Sequence, residues 1–251
     1  MTERGRRELQ RQRHALAIGP SSARWNGSAL VFDIDEVAVP IPRRLRGQVR
    51  VMFEAPCEHV TALDAGGAHR WGPIAPCARV EVDLASPAQR WSGHGYLDCN
   101  EGDEPIDRPF LAWDWSRAAL RDGGCAVLYD VRHRSAPGNV ERRGRGRSSE
   151  VLALRFDRHG RVEPFAAPPR RELPRSLWRL ARSTRCDDDG SGFEPRVLQR
   201  LEDGPFYSRE LIASRLLGEE VLAVHESLDV TRLLATSTQW MLPWRMPRRA
   251  G

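Results

Sequence analysis

The stretch Trp91-Ser92-Gly93-His94-Gly95-Tyr96-Leu97-Asp98-Cys99-Asn100 decides how the chain is interpreted. Its residue pattern predicts a β-strand, in which side chains alternate between two faces. One face then carries His94, Tyr96, Asp98 and Asn100, all able to exchange protons or hydrogen bonds. The two glycines weaken a strand and are typical of places where a ligand or another backbone approaches closely. The stretch is therefore either a half-buried strand whose polar face meets water or part of a binding site.

Short β-like runs on both sides of this stretch predict the fold class. They cover residues 29–34, 48–53, 79–84, 93–99, 126–131 and 151–156. Asn26-Gly27 is a hairpin signal and residues 157–160 form another turn signal. Closely spaced strands and turns indicate a mostly β protein with antiparallel sheets, in a sandwich or a barrel.

Two segments have helical character. Residues 2–17 are rich in Arg, Glu, Gln, Leu and Ala, and form either a surface helix or a charged arm. Residues 208–222 carry apolar side chains at helix-like spacing, although Gly218 weakens the pattern. We therefore expect a few short helices, one of them near the C-terminus.

Composition limits the classes of function. The chain has 251 residues, 40% of them hydrophobic and 29% charged, which predicts a folded protein of one large or, preferably, two small domains. All 39 basic residues are arginine, which we attribute to coding bias, and the net charge is +5. With no zinc-finger or RNA-recognition signature, nucleic acid is not expected as a partner. An anionic lipid surface suits the charge better, and the arginine-rich residues 142–147 could contact it.

The cysteines and the apolar runs bear on location. The five cysteines are widely spaced with no C-x-x-C pair, which is typical of free thiols in a reducing compartment. The charged N-terminus shows no signal peptide, and no run reaches the roughly 18 apolar residues of a membrane-spanning helix. We expect a protein on the cytoplasmic side, associated with the membrane at its periphery. The sequence defines no oligomeric state.

Common catalytic signatures are missing. The sequence has no Walker A motif, no G-x-G-x-x-G and no G-x-S-x-G, and its seven histidines do not cluster at zinc spacing. Residues 187–192 are acidic but lack the spaced ligands of a calcium loop, which favours an acidic turn. We therefore expect chemistry without a metal or another cofactor.

A second constellation, His69-Arg70-Trp71, precedes the opening stretch. If it is extended, its first and third residues share a face. Alone, a His and a Trp beside the Gly66-Gly67 turn are more often packing or capping residues. Combined with Tyr96 and Asp98, they would bring an imidazole, an indole, a phenol and a carboxylate to one pocket. Such a set is suited to acid–base chemistry beside a carbocation.

Matching segments are spread over nearly the whole chain, and through them the sequence resembles the carotenoid 1,2-hydratases, or hydroxyneurosporene synthases, within a wider family of two-domain lipocalin-like proteins. The segments are residues 1–21, 32–51, HRWGPIAP at 69–76, RWSGHGYLDCNEGDEPI at 90–106, FLAWDWSRA at 110–118, 173–185 and 224–249. The Gly-Tyr-Leu-Asp-x-Asn element with its downstream Trp-Asp-Trp-Ser-Arg is specific.

The resemblance implies two lipocalin-like antiparallel β-barrel domains, residues 1–76 and 77–251, with the site at their junction. Relatives carry additional sequence before the segment that matches Met1. The first domain is then incomplete at its start, through either a late gene start or a shortened form, and a shortened form would put activity in doubt.

The resemblance also implies site residues and an activity. A His-x-Trp pair and a Tyr-x-Asp pair are tied to catalysis in the family, and they match His69 with Trp71 and Tyr96 with Asp98. The implied reaction adds water to the terminal C1=C2 double bond of an acyclic carotenoid. Asp98 would donate the proton, the rings of Trp71 and Tyr96 would stabilise the tertiary cation, and His69 would activate or position the water.

Three further tryptophans are candidates for binding the polyene. Trp113 and Trp115 lie two residues apart and either line an apolar channel or pack in a barrel core, and Trp91 is a third candidate. The expected partners are an acyclic carotenoid, water and membrane lipid. Two other functions stay open: a non-catalytic lipocalin-like carrier of an isoprenoid or lipid, and a cyclase of the wider family.

Overall fold

The computed structural model describes residues 3–39, 41–54, 56–134, 149–188, 190–245 and 248–249. These fall into two compact units. The first unit comprises Met1–Pro56, Ala78–Leu97 and Gln239–Gly251, and the second comprises Cys57–Cys77 and Asp98–Thr238. The predicted lipid contact at residues 142–147 lies outside the described residues.

The first unit begins with strands where a helix or a charged arm was expected. After the two-residue strand β1 (Glu3–Arg4) and a 3-10 turn at Arg6–Glu8, the chain forms β2 (Leu9–Gln12) and β3 (Ala15–Ile18). The helix prediction for residues 2–17 is therefore wrong. Leu9 pairs with Ile18 and Gln12 with Ala15 in an antiparallel hairpin. This pairing, continued into the next strand, outweighs the modest helical propensity of Arg, Gln and Ala.

The same antiparallel meander continues through three longer strands, β4 (Ser21–Trp25), β5 (Ala29–Ala38) and β6 (Arg43–Met52). The hairpin predicted at Asn26-Gly27 is confirmed. The Asn26 N–H donates to the Ala29 carbonyl at 3.1 Å, and Gly27 has φ +99°.

Three strands follow: β7 (Thr61–Ala62), β8 (His69–Ser86) and β9 (Ala88–Gly102). In the first unit, β6 pairs with residues 79–86 of β8, and in the second unit Thr61 of β7 pairs with Trp71. The division predicted at residues 76 and 77 falls inside β8 and stays a prediction.

The opening stretch is a strand, as predicted, because residues 91–100 lie within β9. Packing inside the first unit explains why residue 95 is a glycine. A Cβ atom at this position would collide with the side chain of Val80. Another chain segment, rather than a ligand, therefore accounts for this glycine.

Nine further strands lie among the described residues of the second unit. They are β10 (Phe110–Ala119), β11 (Cys125–His133), β12 (Ser149–Phe156), β13 (Val162–Pro164), β14 (Arg170–Leu173), β15 (Arg182–Arg185), β16 (Arg196–Asp203), β17 (Tyr207–Leu216) and β18 (Glu219–Asp229). Seven form one antiparallel sheet in the order β13-β12-β11-β10-β18-β17-β16, and β14 pairs with β15. The turn predicted at residues 157–160 is confirmed between β12 and β13.

The helix predicted at residues 208–222 is wrong. This segment forms most of β17 and the start of β18, joined by the two-residue turn Leu217-Gly218. Both turn residues have positive φ, +54° and +80°, as hairpins with the right-handed strand twist require. The helices lie later, at α1 (Val230–Leu233) and α2 (Thr236–Arg245), and a short strand β19 (Arg248–Arg249) pairs with β1.

Alternation along β10 gives the large sheet two different faces. Asp114, Ser116 and Ala118 point to one face, where an apolar core includes Leu128, Ile212 and Leu216. Buried polar groups continue this face. The Asp114 carboxylate accepts hydrogen bonds from Ser183 Oγ at 2.7 Å and Ser227 Oγ at 2.5 Å, and Arg182 pairs with Glu210 beside His225. Trp113 and Trp115 point to the opposite face.

The predicted class is confirmed: the described residues are mostly β, the sheets are antiparallel, and the helices are short. All five cysteines are free thiols, as expected. Among the described residues, no helix combines the length and the apolar character needed to cross a bilayer.

Candidate active site

Asp98 and Trp71 form the centre of the candidate site. The indole Nε1–H of Trp71 donates a hydrogen bond of 2.8 Å to Asp98 Oδ2. Trp71 is completely buried and Asp98 is half-buried. The two residues come from β8 and β9, so the structure brings together one residue from each predicted pair. A buried indole N–H with a carboxylate acceptor fixes the orientation of both groups.

A chain of aromatic rings in the second unit leads away from Trp71. The ring of Trp71 lies edge-on to Tyr129, with 5.9 Å between centroids, and Tyr129 lies 6.4 Å from Trp113. Trp113 in turn contacts Phe110. Burial, followed by the negative charges of Asp98 and Glu226, raises the pKa of Tyr129 above its ordinary value of 10. The phenol therefore stays neutral, and its ring adds an electron-rich face.

His69 is held by a turn. The Asp64 carboxylate accepts backbone N–H bonds from Gly66, Ala68 and His69, and it lies 3.2 Å from His69 Nδ1. Burial alone would raise the pKa of Asp64, but these hydrogen bonds together outweigh burial and lower the pKa below its ordinary value. His69 Nε2 lies 2.9 Å from the Glu104 carbonyl. Both ring nitrogens are therefore engaged with the protein.

Sequence reasoning missed a second histidine, His59. Its ring lies 6.5 Å from Trp71 and 6.2 Å from Phe156, both edge-on. Its Nε2 is buried and has no hydrogen-bond partner among the described residues. Burial lowers the pKa of His59 below its ordinary value of 6.5, so the imidazole is neutral at pH 7.

A small cleft adjoins His59. It has a volume of about 100 Å³, and its lining includes Cys57, His59, Val60, Trp71, Cys99 and Glu101. Cys57 fixes this segment, because its N–H donates to the Ile74 carbonyl and its thiol lies 3.4 Å from the Gly160 carbonyl. At about 30 Å³ per molecule, the cleft is suited to a few waters rather than to a whole polyene.

Sequence reasoning missed Tyr129 as well as His59, for different reasons. Tyr129 stands between Val127 and Val131, all three buried, and strand alternation places it on the same face as its partner Trp115. That alternation was available in the sequence. His59 lies in an irregular segment before β7, where no periodicity predicts where a side chain points.

The other predicted site residues lie on β9 and β10. Tyr96 is half-buried on β9 in the first unit, where Trp91 is 53% exposed. Trp115 is half-buried in β10, opposite Tyr129 in the strand register. Their roles in binding or catalysis stay predictions.

The acidic residues 187–192 were expected to form a turn, and the described ones are engaged within the protein. Asp188 pairs with Arg171 at 2.8 Å, and Asp187 accepts the Gly218 N–H at 2.8 Å. In the part of the chain that the structure describes, no three His, Cys, Asp or Glu side chains are grouped to hold a metal ion.

Fold and site together define an antiparallel β protein in which one carboxylate is oriented by the indole of an aromatic cluster. A carboxylic acid in such a place can protonate an apolar substrate, and the ring faces can stabilise a cation. The chain belongs to the carotenoid hydratase CrtC family, whose model matches residues 1–251.

The chain is similar to proteins named acyclic carotenoid 1,2-hydratase. The chain is 54% identical to the one from Rubrivivax gelatinosus and 48% identical to the one from Thiocapsa roseopersicina, matching over its full length in both. It spans 58% of the length of each of these two relatives. The relative from Rhodobacter capsulatus is 37% identical, and the chain spans 84% of it.

A solved structure also resembles the fold. It is a Nitrosomonas europaea protein given the provisional name AttH, with a TM-score of 0.54 and 13% identity. The likeness covers 89% of this chain and 72% of that one. It agrees with the predicted lipocalin-like class of fold.

Proposed function

We propose that this chain is a cofactor-independent hydratase that adds water across the terminal C1=C2 double bond of an acyclic carotenoid. The product is a tertiary 1-hydroxy carotenoid. The observation that carries the proposal is the Asp98 carboxylate, oriented by the Trp71 indole within a cluster of aromatic rings. The family and the names of the relatives support the substrate class.

The first step transfers a proton from Asp98 to C2 of the alkene. An isolated alkene carbon is a poor base, so the donor must be a protonated carboxylic acid held against the double bond. Trp71 already donates to Oδ2, and we therefore assign the transferable proton to Oδ1. The π electrons of the double bond form the new C–H bond, which leaves a tertiary cation at C1.

Aromatic faces then stabilise the cation. Trp71 and Tyr129 are both almost fully buried, at 0% and 5% exposure. A desolvated cation–π contact contributes about 2 kcal/mol or more. Tyr96, which the family resemblance ties to the same reaction, is a further contributor in this proposal.

Water attacks C1, and a base must accept the proton that the water loses. We assign this role to His59 rather than to His69. The Nε2 of His59 has no partner within the described residues, and the adjoining cleft has room for water. His69, with both nitrogens engaged, is assigned a positioning role: its bonds to Asp64 and to the Glu104 carbonyl hold the start of β8 and the end of β9.

Two rival functions, a carrier and a cyclase, make different predictions from the hydratase. A lipocalin-like carrier needs an apolar site but no oriented carboxylate, and a cyclase returns a product with unchanged mass. Because an acyclic carotenoid is almost insoluble in water, we also propose that the protein works at the membrane periphery.

Asp98→Asn tests the proposal in a host that makes neurosporene or lycopene. The amide keeps an acceptor oxygen for Trp71 but has no acidic proton, so we expect the 1-hydroxy product to fall by at least about a hundredfold. Asp103→Asn, at a carboxylate that is 68% exposed, is the matched control and should keep full activity. Undiminished product with Asp98→Asn would remove the proton-donor assignment.

A further inference from the structure

The turn between β14 and β15 presents two large apolar side chains to solvent. Leu177 is 74% exposed and Trp178 is 45% exposed, and Leu177 is more exposed than any other large apolar side chain among the described residues of the second unit. Single exposed apolar side chains are common, but adjacent ones form a patch of the kind that contacts a protein or a membrane.

This turn is ordered by its own hydrogen bonds. The Ser176 hydroxyl is buried and accepts the N–H groups of Trp178 at 3.1 Å and Leu180 at 3.3 Å. The side chain of Leu180, only 2% exposed, anchors the end of the turn. The turn therefore holds Leu177 and Trp178 outward in a defined arrangement.

Contacts from neighbouring segments add to this order. Arg232 Nη1 donates to the Trp178 carbonyl at 2.9 Å, and the Leu177 N–H donates to Asp203 at 2.8 Å. Arg179 has φ +59°, which costs about 1 kcal/mol for a residue with a side chain. Backbone strain in an otherwise well-bonded turn is typical of functional segments.

Charge complementarity identifies the partner. Arg175 and Arg179 flank the apolar pair, and both are exposed. The carboxylate that meets the turn, Asp203, is buried and lies 3.3 Å from Arg200. The tip therefore combines a Leu, a Trp and two guanidinium groups. Tryptophan favours the bilayer interface, and guanidinium groups bind lipid phosphates.

We propose that the turn at residues 174–181 is a membrane-docking element. Leu177 and Trp178 enter the headgroup region of an anionic bilayer, and Arg175 and Arg179 contact its phosphates. Docking gives the protein access to a substrate dissolved in the bilayer. Only this purpose of docking rests on the proposed function.

The test measures binding of the purified chain to vesicles of phosphatidylcholine containing about 30% phosphatidylglycerol, by co-sedimentation. Leu177→Ser combined with Trp178→Ser should lower the partition coefficient by on the order of tenfold or more. Arg175→Gln with Arg179→Gln should weaken binding to these vesicles by about tenfold and leave any binding to pure phosphatidylcholine unchanged. Leu222→Ser, at a side chain that is 58% exposed on β18, is the matched control.

Three outcomes would overturn the proposal. The unaltered chain does not bind the vesicles, as expected if the turn docks a protein instead. The Leu177 and Trp178 variant binds as well as the unaltered chain, or Leu222→Ser loses as much binding as that variant. Hydration is followed separately, with carotenoid in detergent micelles and in vesicles. Docking predicts that the Leu177 and Trp178 variant loses activity only in vesicles. Absent hydration in every preparation, with vesicle binding intact, would contradict the proposed function and leave the docking element standing.

Discussion

At the scale of single residues, the hydrogen bond from Trp71 to Asp98 makes a testable distinction between the indole N–H and the ring face. Trp71→Phe keeps a ring but loses the bond, which strengthens to about 1.5–3 kcal/mol as proton transfer leaves a negative charge on Asp98, so kcat should fall by about ten- to a hundredfold. Trp71→Ala also loses the ring and should fall by at least about tenfold more. Steady-state kinetics on both variants measures the difference.

Trp71 is fully buried, so its replacement by Ala also costs about 3–5 kcal/mol of stability. The rates must therefore be normalised to the folded fraction, measured by circular dichroism. Trp240→Phe, at a side chain that is 79% exposed, is the control and should change nothing. Equal losses for Trp71→Phe and Trp71→Ala would show that the ring face has no role.

The pH dependence of the rate tests His59. A base must be unprotonated, and burial lowers the pKa of His59 below 6.5. Activity should therefore persist as pH falls to 6.5 and be lost only at lower pH. His59→Gln should lower kcat by about a hundredfold or more and remove this acidic decline. His159→Gln, in the exposed turn after β12, should leave the profile unchanged. An acidic decline that survives in His59→Gln belongs to another group.

Residue spacing predicted part of the geometry of the candidate site. Strand alternation predicted that Asp98 lies on a polar face of one strand and that Trp71 shares a face with His69 on another. The structure joins Asp98 and Trp71 by a hydrogen bond. Alternation could not show that both ring nitrogens of His69 are engaged within the protein. The Asp64 turn and the Glu104 carbonyl that hold them are tertiary features. His59 went unseen because irregular backbone gives no periodic signal.

At the scale of elements, the β17–β18 hairpin explains why a helix was predicted there. Leu211, Ile212 and Leu216 repeat at spacings compatible with a helix, and short apolar segments are ambiguous between the two periods. The turn residues decide the outcome. Gly218 adopts positive φ without strain, whereas Leu217 at φ +54° does so at a cost.

That cost predicts a stabilising substitution. Leu217→Asn should raise the free energy of unfolding by about 1 kcal/mol, because Asn tolerates the left-handed conformation and Leu217 is 41% exposed. Urea denaturation measures the change. Gly218→Ala, at φ +80°, should lower the free energy of unfolding. A lower value for Leu217→Asn would mean that the packing of Leu217 outweighs its backbone strain.

A buried ion pair lies on the face of the large sheet that carries Asp114. Breaking it is expected to lower the free energy of unfolding strongly. Arg182 and Glu210 are 1% and 0% exposed, and His225 lies 3.2 Å from Glu210. Glu210→Gln leaves the guanidinium buried without its counter-ion and should lower the free energy of unfolding by about 3–5 kcal/mol. Arg121→Gln, which breaks a pair in which Arg121 is 79% exposed, should cost less than about 1 kcal/mol. Similar losses for the two variants would contradict this account.

At the scale of the whole molecule, the turn residues and β-like runs predicted the fold class, because strands and hairpins carry local signals. Which strand pairs with which was beyond those signals. The pairing of β10 with β18 joins residues more than a hundred positions apart. Composition likewise defines the net charge but not where the charged side chains lie. The structure brings exposed arginines beside Leu177 and Trp178.

The central claim concerns the chain as a catalyst, and gain of water tests it most directly. Purified protein is incubated with lycopene in detergent and ¹⁸O-labelled water, and the products are analysed by mass spectrometry. We expect a product heavier by one labelled water, hydroxylated at C1, and none above background with Asp98→Asn. A product of unchanged mass, binding without conversion, or equal hydration by Asp98→Asn would contradict the account.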